Sequence, residues 1–290
     1  RSSGRIEHRG FRDLPCYLRP GDLVVLNNSK VIKARLLSRD RRVELLLIRS
    51  LGSGTWNCLV RPGRRMRPGF EFSIAETSAR VREILEDGSR IVEFAVEPDL
   101  DRFGSMPIPP YLHRDADEED DKRYQTVFAE AAGSVAAPTA GLHFTPELLA
   151  RIPSTQVTLH VGIGTFLPVK VERVADHRMH SESYSIGKEA ALAINAAARI
   201  LAVGTTAARV LESQPPGPIA PRAASTSIFI HPPFTFQRVG ALLTNFHLPK
   251  STLLMLVCAF AGREEVLAAY AEAVRKRYRF FSYGDCMLVV

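Results

Sequence analysis

Between residues 43 and 96 the chain has no run with helical spacing of apolar residues, only short alternating segments cut by turn residues. Residues 43–48, 55–60, 70–74, 79–85 and 90–96 read as strands. Gly52-Ser53-Gly54, Arg61-Pro62-Gly63, Arg67-Pro68-Gly69 and Glu86-Asp87-Gly88 separate them. Asp-Gly between two alternating runs is a hairpin signal. Short strands without a helix predict a small barrel or sandwich of its own, assigned to residues 38–103.

The flanking sequence alternates instead. Strands are expected at 23–26, 31–37, 157–161, 201–203 leading into a Gly204-Thr205-Thr206 turn, 226–230, 242–247 and 287–290. Helices are expected from Arg123, over 146–152, over 188–201 with Leu192, Ala196 and Ile200 on one face, from Ala207, over 249–262, and over 264–277 with Val266, Tyr270 and Val274 in register. The acidic run 115–121 reads as a solvated loop, and the Pro-rich stretch 214–225 as disordered in character. Alternation of this kind predicts a layered α/β domain, formed by residues 1–37 and 104–290, with the all-β, barrel-like domain inserted into it.

Four strand-to-loop junctions combine small residues with polar ones. They are Ser134/Thr139/His143, His160/Gly162/Gly164/Thr165, Gly204/Thr205/Thr206/Arg209 and Thr244/Asn245/His247/Lys250. The first lies in the loop 133–144 and runs into Thr145-Pro146, a capping residue followed by a proline suited to the first helical position. Ligands of open α/β sheets bind beyond the carboxyl ends of the strands, so four such ends can line one pocket. A chance run of capping residues is the competing reading, but each junction also carries a titratable or cationic group. For proton transfer the candidates are His143, His160, His180, His247, Glu182 and Asp285. Arg209 and Lys250 suit a carboxylate or a phosphate.

Several classes are not supported. No GxGxxG follows a strand and no Walker loop is present. A Ser134–His143–Asp285 hydrolase can be drawn on paper, but no G-x-S-x-G elbow supports it. Histidine spacing predicts no metal site. The four cysteines form no C-x-x-C pair, which predicts neither zinc nor disulfides and fits a reducing cytoplasm. The apolar run 253–261 is far short of the ~20 residues of a membrane helix, so no membrane span is expected. A net charge of +7 favours an anionic partner, and Arg61, Arg64, Arg65 and Arg67 form a candidate phosphate-contacting patch.

The blocks NNSKVI with ARL (27–36), RYQTVF (123–128), 133–144, TLHVGIGTF (158–166), MHSE (179–182), AVGTT with Arg209, LLTNFHLPKS (242–251) and YRFFSYGD (278–285) together resemble the S-adenosylmethionine:tRNA ribosyltransferase-isomerase family of queuosine synthesis. The resemblance runs through nearly the whole chain in the family's order. It implies that S-adenosylmethionine is a ribosyl donor and the tRNA wobble base 7-aminomethyl-7-deazaguanine the acceptor. The products are epoxyqueuosine-tRNA, adenine and methionine. It further implies a β-barrel inserted in a layered α/β domain, no metal or cofactor beyond the co-substrate, and a cytoplasmic monomer. On the candidates above, His143 or His160 is the expected base, and Asp285 or Glu182 stands near the adenine or sulfonium. Ser134, Thr139, Thr205, Thr206, Arg209, Asn245 and His247 are expected to bind the donor. The chain lacks the family's usual N-terminal stretch, and Gly240 stands where the family usually has Asp. A catalytically impaired tRNA-binding homologue and an S-adenosylmethionine-dependent methyltransferase remain the alternative readings.

Overall fold

The computed structural model describes residues 4–112, 114–162, 164, 171 and 173–290. The chain divides into two compact units: Arg1–Ser29 with Gln125–Ala131 and Pro138–Val290, and Lys30–Tyr124 with Ala132–Ala137. The second contains the whole β-rich stretch and extends further on either side.

In chain order the strands are β1 (Asp22–Asn27), β2 (Ser29–Val31), β3 (Arg35–Leu37), β4 (Glu44–Gly52), β5 (Thr55–Arg61), β6 (Glu71–Ile74), β7 (Thr77–Ile84), β8 (Arg90–Phe94), β9 (Ala131–Ser134), β10 (Ser154–Leu159), β11 (Glu182–Ile186), β12 (Arg199–Val203), β13 (Arg222–Thr226), β14 (Val239–Asn245) and β15 (Cys286–Val289). The helices are α1 (Leu100–Phe103), α2 (Glu118–Arg123), α3 (Pro146–Leu149), α4 (Lys188–Ala196), α5 (Gly204–Glu212), α6 (Thr252–Ala261) and α7 (Arg263–Arg275).

The first unit is built on a seven-stranded sheet of order β13-β11-β10-β1-β12-β14-β15. Its centre, β10-β1-β12-β14, is parallel, and the outer strands are antiparallel. Every residue of β1 is buried, as expected of a strand covered on both faces. On one pleat Val24, Leu26, Leu201, Val203, Ala241 and Leu243 pack with Leu14, Ala140, Phe144, Leu148 and Ile152. Val25, Ala202 and Leu242, on the opposite pleat, are equally deep, and α5 packs on these strands. Thr145 caps α3 by accepting from the Leu148 amide at 3.3 Å, with Pro146 at the first helical position. No helix among the described residues is long and apolar enough to cross a membrane.

Several local expectations fail for identifiable reasons. The acidic run is not a loop: Asp117 and Asp120 cap each other's amides at 3.0 Å, and the carboxylates of the first turn of α2 face the positive end of the helix. That helix ends at Arg123, where one was expected to begin. The strand expected over 31–37 is broken into β2 and β3. Helix α4 stops at Ala196 because Ala197 is extended, so Ile200 belongs to β12, and the buried face of α4 is Ala190, Ala191 and Ile194 while Leu192 lies outside. In α7 the buried partner of Val266 is Ala273, about two turns on, while Val274 is exposed. Gly204, Thr205 and Thr206 are not a turn; they open α5. The Pro-rich stretch is held in place. Asn195 exchanges two 2.8 Å hydrogen bonds with Ile219, and Arg238 donates to the carbonyls of Pro215 and Gly217. The expected strand at 226–230 is instead β13, which ends at Thr226.

In the second unit the predicted strands form one antiparallel six-stranded sheet, β3-β4-β5-β8-β7-β6. Leu45, Leu47, Trp56, Cys58, Val81, Val92 and Phe94 form its buried side. Register shifts at Leu47/Arg49, Ser50/Gly52 and Val81/Glu83 bend it. The end strands β3 and β6 are not paired to each other, so the sheet is open rather than a closed barrel. Arg90 is buried and donates to the carbonyls of Met66 (2.9 Å) and Gly63 (3.1 Å), and fully buried Met66 pins the loop that carries exposed Arg61, Arg64, Arg65 and Arg67. β2 and β9 pair as a separate two-stranded sheet.

Candidate active site

Parallel strands place their carboxyl ends on one edge, and in the first unit that edge gathers the polar junctions. β1 ends at Asn27, β10 runs out into His160, β12 into Gly204, and β14 ends at Asn245. Because β11 and β15 run the other way, they begin at this edge, bringing Glu182 and, one residue before β15, Asp285. Asn27 ties two ends together: it donates to the Leu159 carbonyl at 3.0 Å and accepts from the Leu159 amide at 2.9 Å. In the sequence Asn27 stands out only within the 27–36 block, with no role of its own.

The β14–β15 end holds His143. It closes the 3-10 turn Thr139–His143, which packs on β14 and α5. Gly141 lets the turn lie close against Thr126 and Phe128, since a Cβ there would lie 2.8 Å from both. Asn245 uses its Nδ2 to donate to the carbonyls of Phe281 (2.9 Å) and Ser282 (3.3 Å), which turns its Oδ1 toward His143 Nε2 at 3.1 Å. An oxygen there requires a proton on Nε2, so Nδ1 of the neutral ring keeps its lone pair. Phe11 lies against the ring, centroids 5.1 Å apart. Burial pushes the His143 pKa below its ordinary value; the Asn245 contact and the Asp285 charge oppose this, and Arg279 adds to it. Burial alone would raise Asp285, but Arg279 holds it below the usual carboxylate range with an amide contact of 2.8 Å and a guanidinium contact of 3.0 Å. Phe11 and Arg279 were not singled out from the sequence, although Arg279 lies inside the 278–285 block.

The β10–β11 end holds a buried ion pair between Glu182 and Arg209, each almost wholly covered. Glu182 Oε1 also accepts from the Gly162 amide at 2.9 Å. Arg209 comes from α5, so this helix links the two ends: its first residues stand beyond β12 and its sixth reaches β11. Thr205 and Thr206 are buried in its first turn. Burial lowers His160 as well.

His247 follows Asn245 but is engaged elsewhere. Its Nε2 lies 2.7 Å from Thr244 Oγ1, and its amide donates to the Tyr270 hydroxyl at 2.8 Å. Burial pushes His247 down to about 4 and Tyr270 up to about 12. Thr139 shares the turn of His143, while His180 and Lys250 are exposed. Ser134 is fully buried in β9, in the second unit, and its carbonyl accepts from the Ile32 amide at 3.0 Å. Thr165 lies outside the described residues. Gly240 is at the opposite edge of the sheet, beside Arg199, which pairs with Asp22 at 2.5 and 2.9 Å; a Cβ at Gly240 would lie 2.6 Å from the Arg199 side chain. No three His, Cys, Asp or Glu among the described residues converge as a metal site.

The chain is similar to known proteins over nearly their whole length. The chain is 48% identical to an S-adenosylmethionine:tRNA ribosyltransferase-isomerase of Heliobacterium modesticaldum, covering 100% of this chain and 91% of the relative. It is 51% identical to the protein of that name in Thermotoga petrophila, covering 100% and 90%. Against the crystal structure of S-adenosylmethionine tRNA ribosyltransferase from Thermotoga maritima the TM-score is 0.53 at 41% identity, over 100% of this chain and 90% of that one. The sequence model described as "queuosine biosynthesis protein" matches residues 1–289, and the chain belongs to that family.

Proposed function

We propose that the chain transfers and isomerises the ribosyl group of S-adenosylmethionine onto 7-aminomethyl-7-deazaguanine at the tRNA wobble position, giving epoxyqueuosine-tRNA, adenine and methionine. The observation that carries this is the identity of about half the residues over the whole chain with enzymes of that name. S-adenosylmethionine enters as co-substrate. The steps are proton transfers, bond cleavage and ring closure, so no redox partner is needed. The enzyme is taken to act in the cytoplasm as a monomer.

The sulfonium acidifies the ribose carbon beside it, and a neutral base must take that proton. His143 suits this best, because Asn245 fixes its tautomer with Nδ1 free to accept and burial keeps the ring neutral at pH 7. His160 is the second candidate. Asp285, held ionised by Arg279, stabilises the imidazolium that forms, and the proton becomes available to the departing adenine. The neutral amine of the acceptor attacks the sugar, and closure of the epoxide through a sulfonium ylide expels methionine. Thr139, Thr205, Thr206, Arg209 and Asn245 supply donor-binding contacts, with His247 behind Asn245. The impaired-homologue reading loses support, since Gly240 stands at the edge away from these groups.

The test is incubation with S-adenosylmethionine and tRNA carrying the aminomethyl base. Equal amounts of adenine and methionine, with epoxyqueuosine in the RNA, are expected. Formation of S-adenosylhomocysteine instead makes the chain a methyltransferase.

A further inference from the structure

Arg209 is bonded on one side only. Its Nη1 meets Glu182, while Nε and Nη2 have no partner among the described residues and no exposure to solvent. Those two nitrogens share one edge of the planar guanidinium, where their hydrogens point in parallel, the arrangement that receives both oxygens of a carboxylate. One turn earlier on α5, buried Thr206 also lacks a partner for its Oγ1. The helix begins with no side-chain cap from Val203, which leaves its first amides and the positive end of its dipole uncapped by that residue, in the same turn as Thr206. Leaving charged donors covered and unpaired is costly, which points to an absent ligand.

We propose that Arg209, Thr206 and the first turn of α5 bind the α-carboxylate of an amino-acid zwitterion, and that Glu182 binds its α-ammonium. In the reaction proposed above, on which this inference rests, that zwitterion is the methionyl part of the donor. Glu182 has acceptor capacity left after Gly162 and Arg209. The carboxylate, the ammonium, Arg209 and Glu182 sum to zero charge, which suits a covered site. An RNA phosphate brings no cation for Glu182. Since both donors are shielded from water, the ligand displaces the groups over them as it enters.

The test compares the dissociation constants of S-adenosylmethionine and its decarboxylated analogue by calorimetry. The wild type should bind the analogue roughly tenfold to hundredfold more weakly. In Arg209→Gln the ratio should fall to near one, and in Thr206→Val by about threefold. Circular dichroism reports whether Arg209→Gln folds; if it does not, Thr206→Val decides. A wild-type ratio near one, or a ratio unchanged in the folded variants, overturns the proposal even where adenine release proceeds. Loss of tRNA affinity with an unchanged ratio also overturns it and assigns the edge to a phosphate. No binding of S-adenosylmethionine and no adenine release overturns this proposal and the reaction together.

Discussion

At the β14–β15 end of the sheet edge, the Phe281 and Ser282 carbonyls orient Asn245 and Asn245 orients His143, while Arg279 separately holds Asp285, whose charge acts on His143 without a hydrogen bond between them. At the β10–β11 end, Arg209, Thr206 and His160 bury polar atoms that find no partner among the described residues. A finished hydrogen-bond chain fixes a tautomer and a charge state, which is what proton transfer needs. Buried polar atoms without a partner among the described residues leave positions that a polar ligand can fill. On the reading proposed above, this difference matches chemistry at one end and donor binding at the other, with α5 joining them.

The largest expected effect breaks the first end. His143→Gln keeps a hydrogen-bonding side chain and removes the base. The turnover number should fall by roughly a hundredfold to ten-thousandfold with little change in donor affinity. A loss confined to KM would move His143 to the binding side.

A smaller effect comes from Asp285→Asn. The Asp285 charge raises the His143 pKa and Arg279 lowers it, so removal of the carboxylate should shift the acid limb of kcat/KM to lower pH. The rate should drop by about tenfold, because the imidazolium loses its counter-charge. A limb that stays in place separates the two residues. Both ends should be blind to the exposed loop of the second unit. Replacing Arg61, Arg64, Arg65 and Arg67 by Ala should weaken tRNA binding and reduce its salt slope by up to about 3, with the donor constant unchanged. An unaltered slope removes that loop from the RNA contact.

The smallest effect concerns His247, which sits next to the chemistry without joining it. Its folded pKa of about 4 lies below the ordinary value of 6.5, so it is neutral in the fold and takes a proton more readily when unfolded. Its contribution is full above pH 6.5 and is lost as pH falls toward 4. Denaturant titrations should show His247→Gln flattening that decline by roughly 3 kcal/mol. A parallel decline in both proteins rejects this.

Much of the framework was legible because local rules and tertiary packing agree. The run 23–26 is β1, the Thr145-Pro146 signal caps α3, and Gly88, at φ +83°, turns the predicted hairpin between β7 and β8. Helical spacing misled where two elements abut: Ile200 continues the period of α4 but follows an extended Ala197, so it is paired in β12. Some candidate residues were legible as types, since Asn245 and His160 are polar groups that follow apolar runs. Their division into two ends was not, because it depends on β11 and β15 running antiparallel and on one arginine crossing from α5 to β11. No spacing in the sequence encodes that the far edge of Arg209 has no partner among the described residues.

The most direct measurement is the pH dependence of adenine release from S-adenosylmethionine, with tRNA carrying 7-aminomethyl-7-deazaguanine, for the wild type and His143→Gln. Wild-type kcat/KM should rise through a pKa below 6.5 and level off, and that limb should vanish in the variant along with most of the rate. A variant that keeps both the limb and the rate contradicts the division of the edge into a proton-moving end and a donor-holding end.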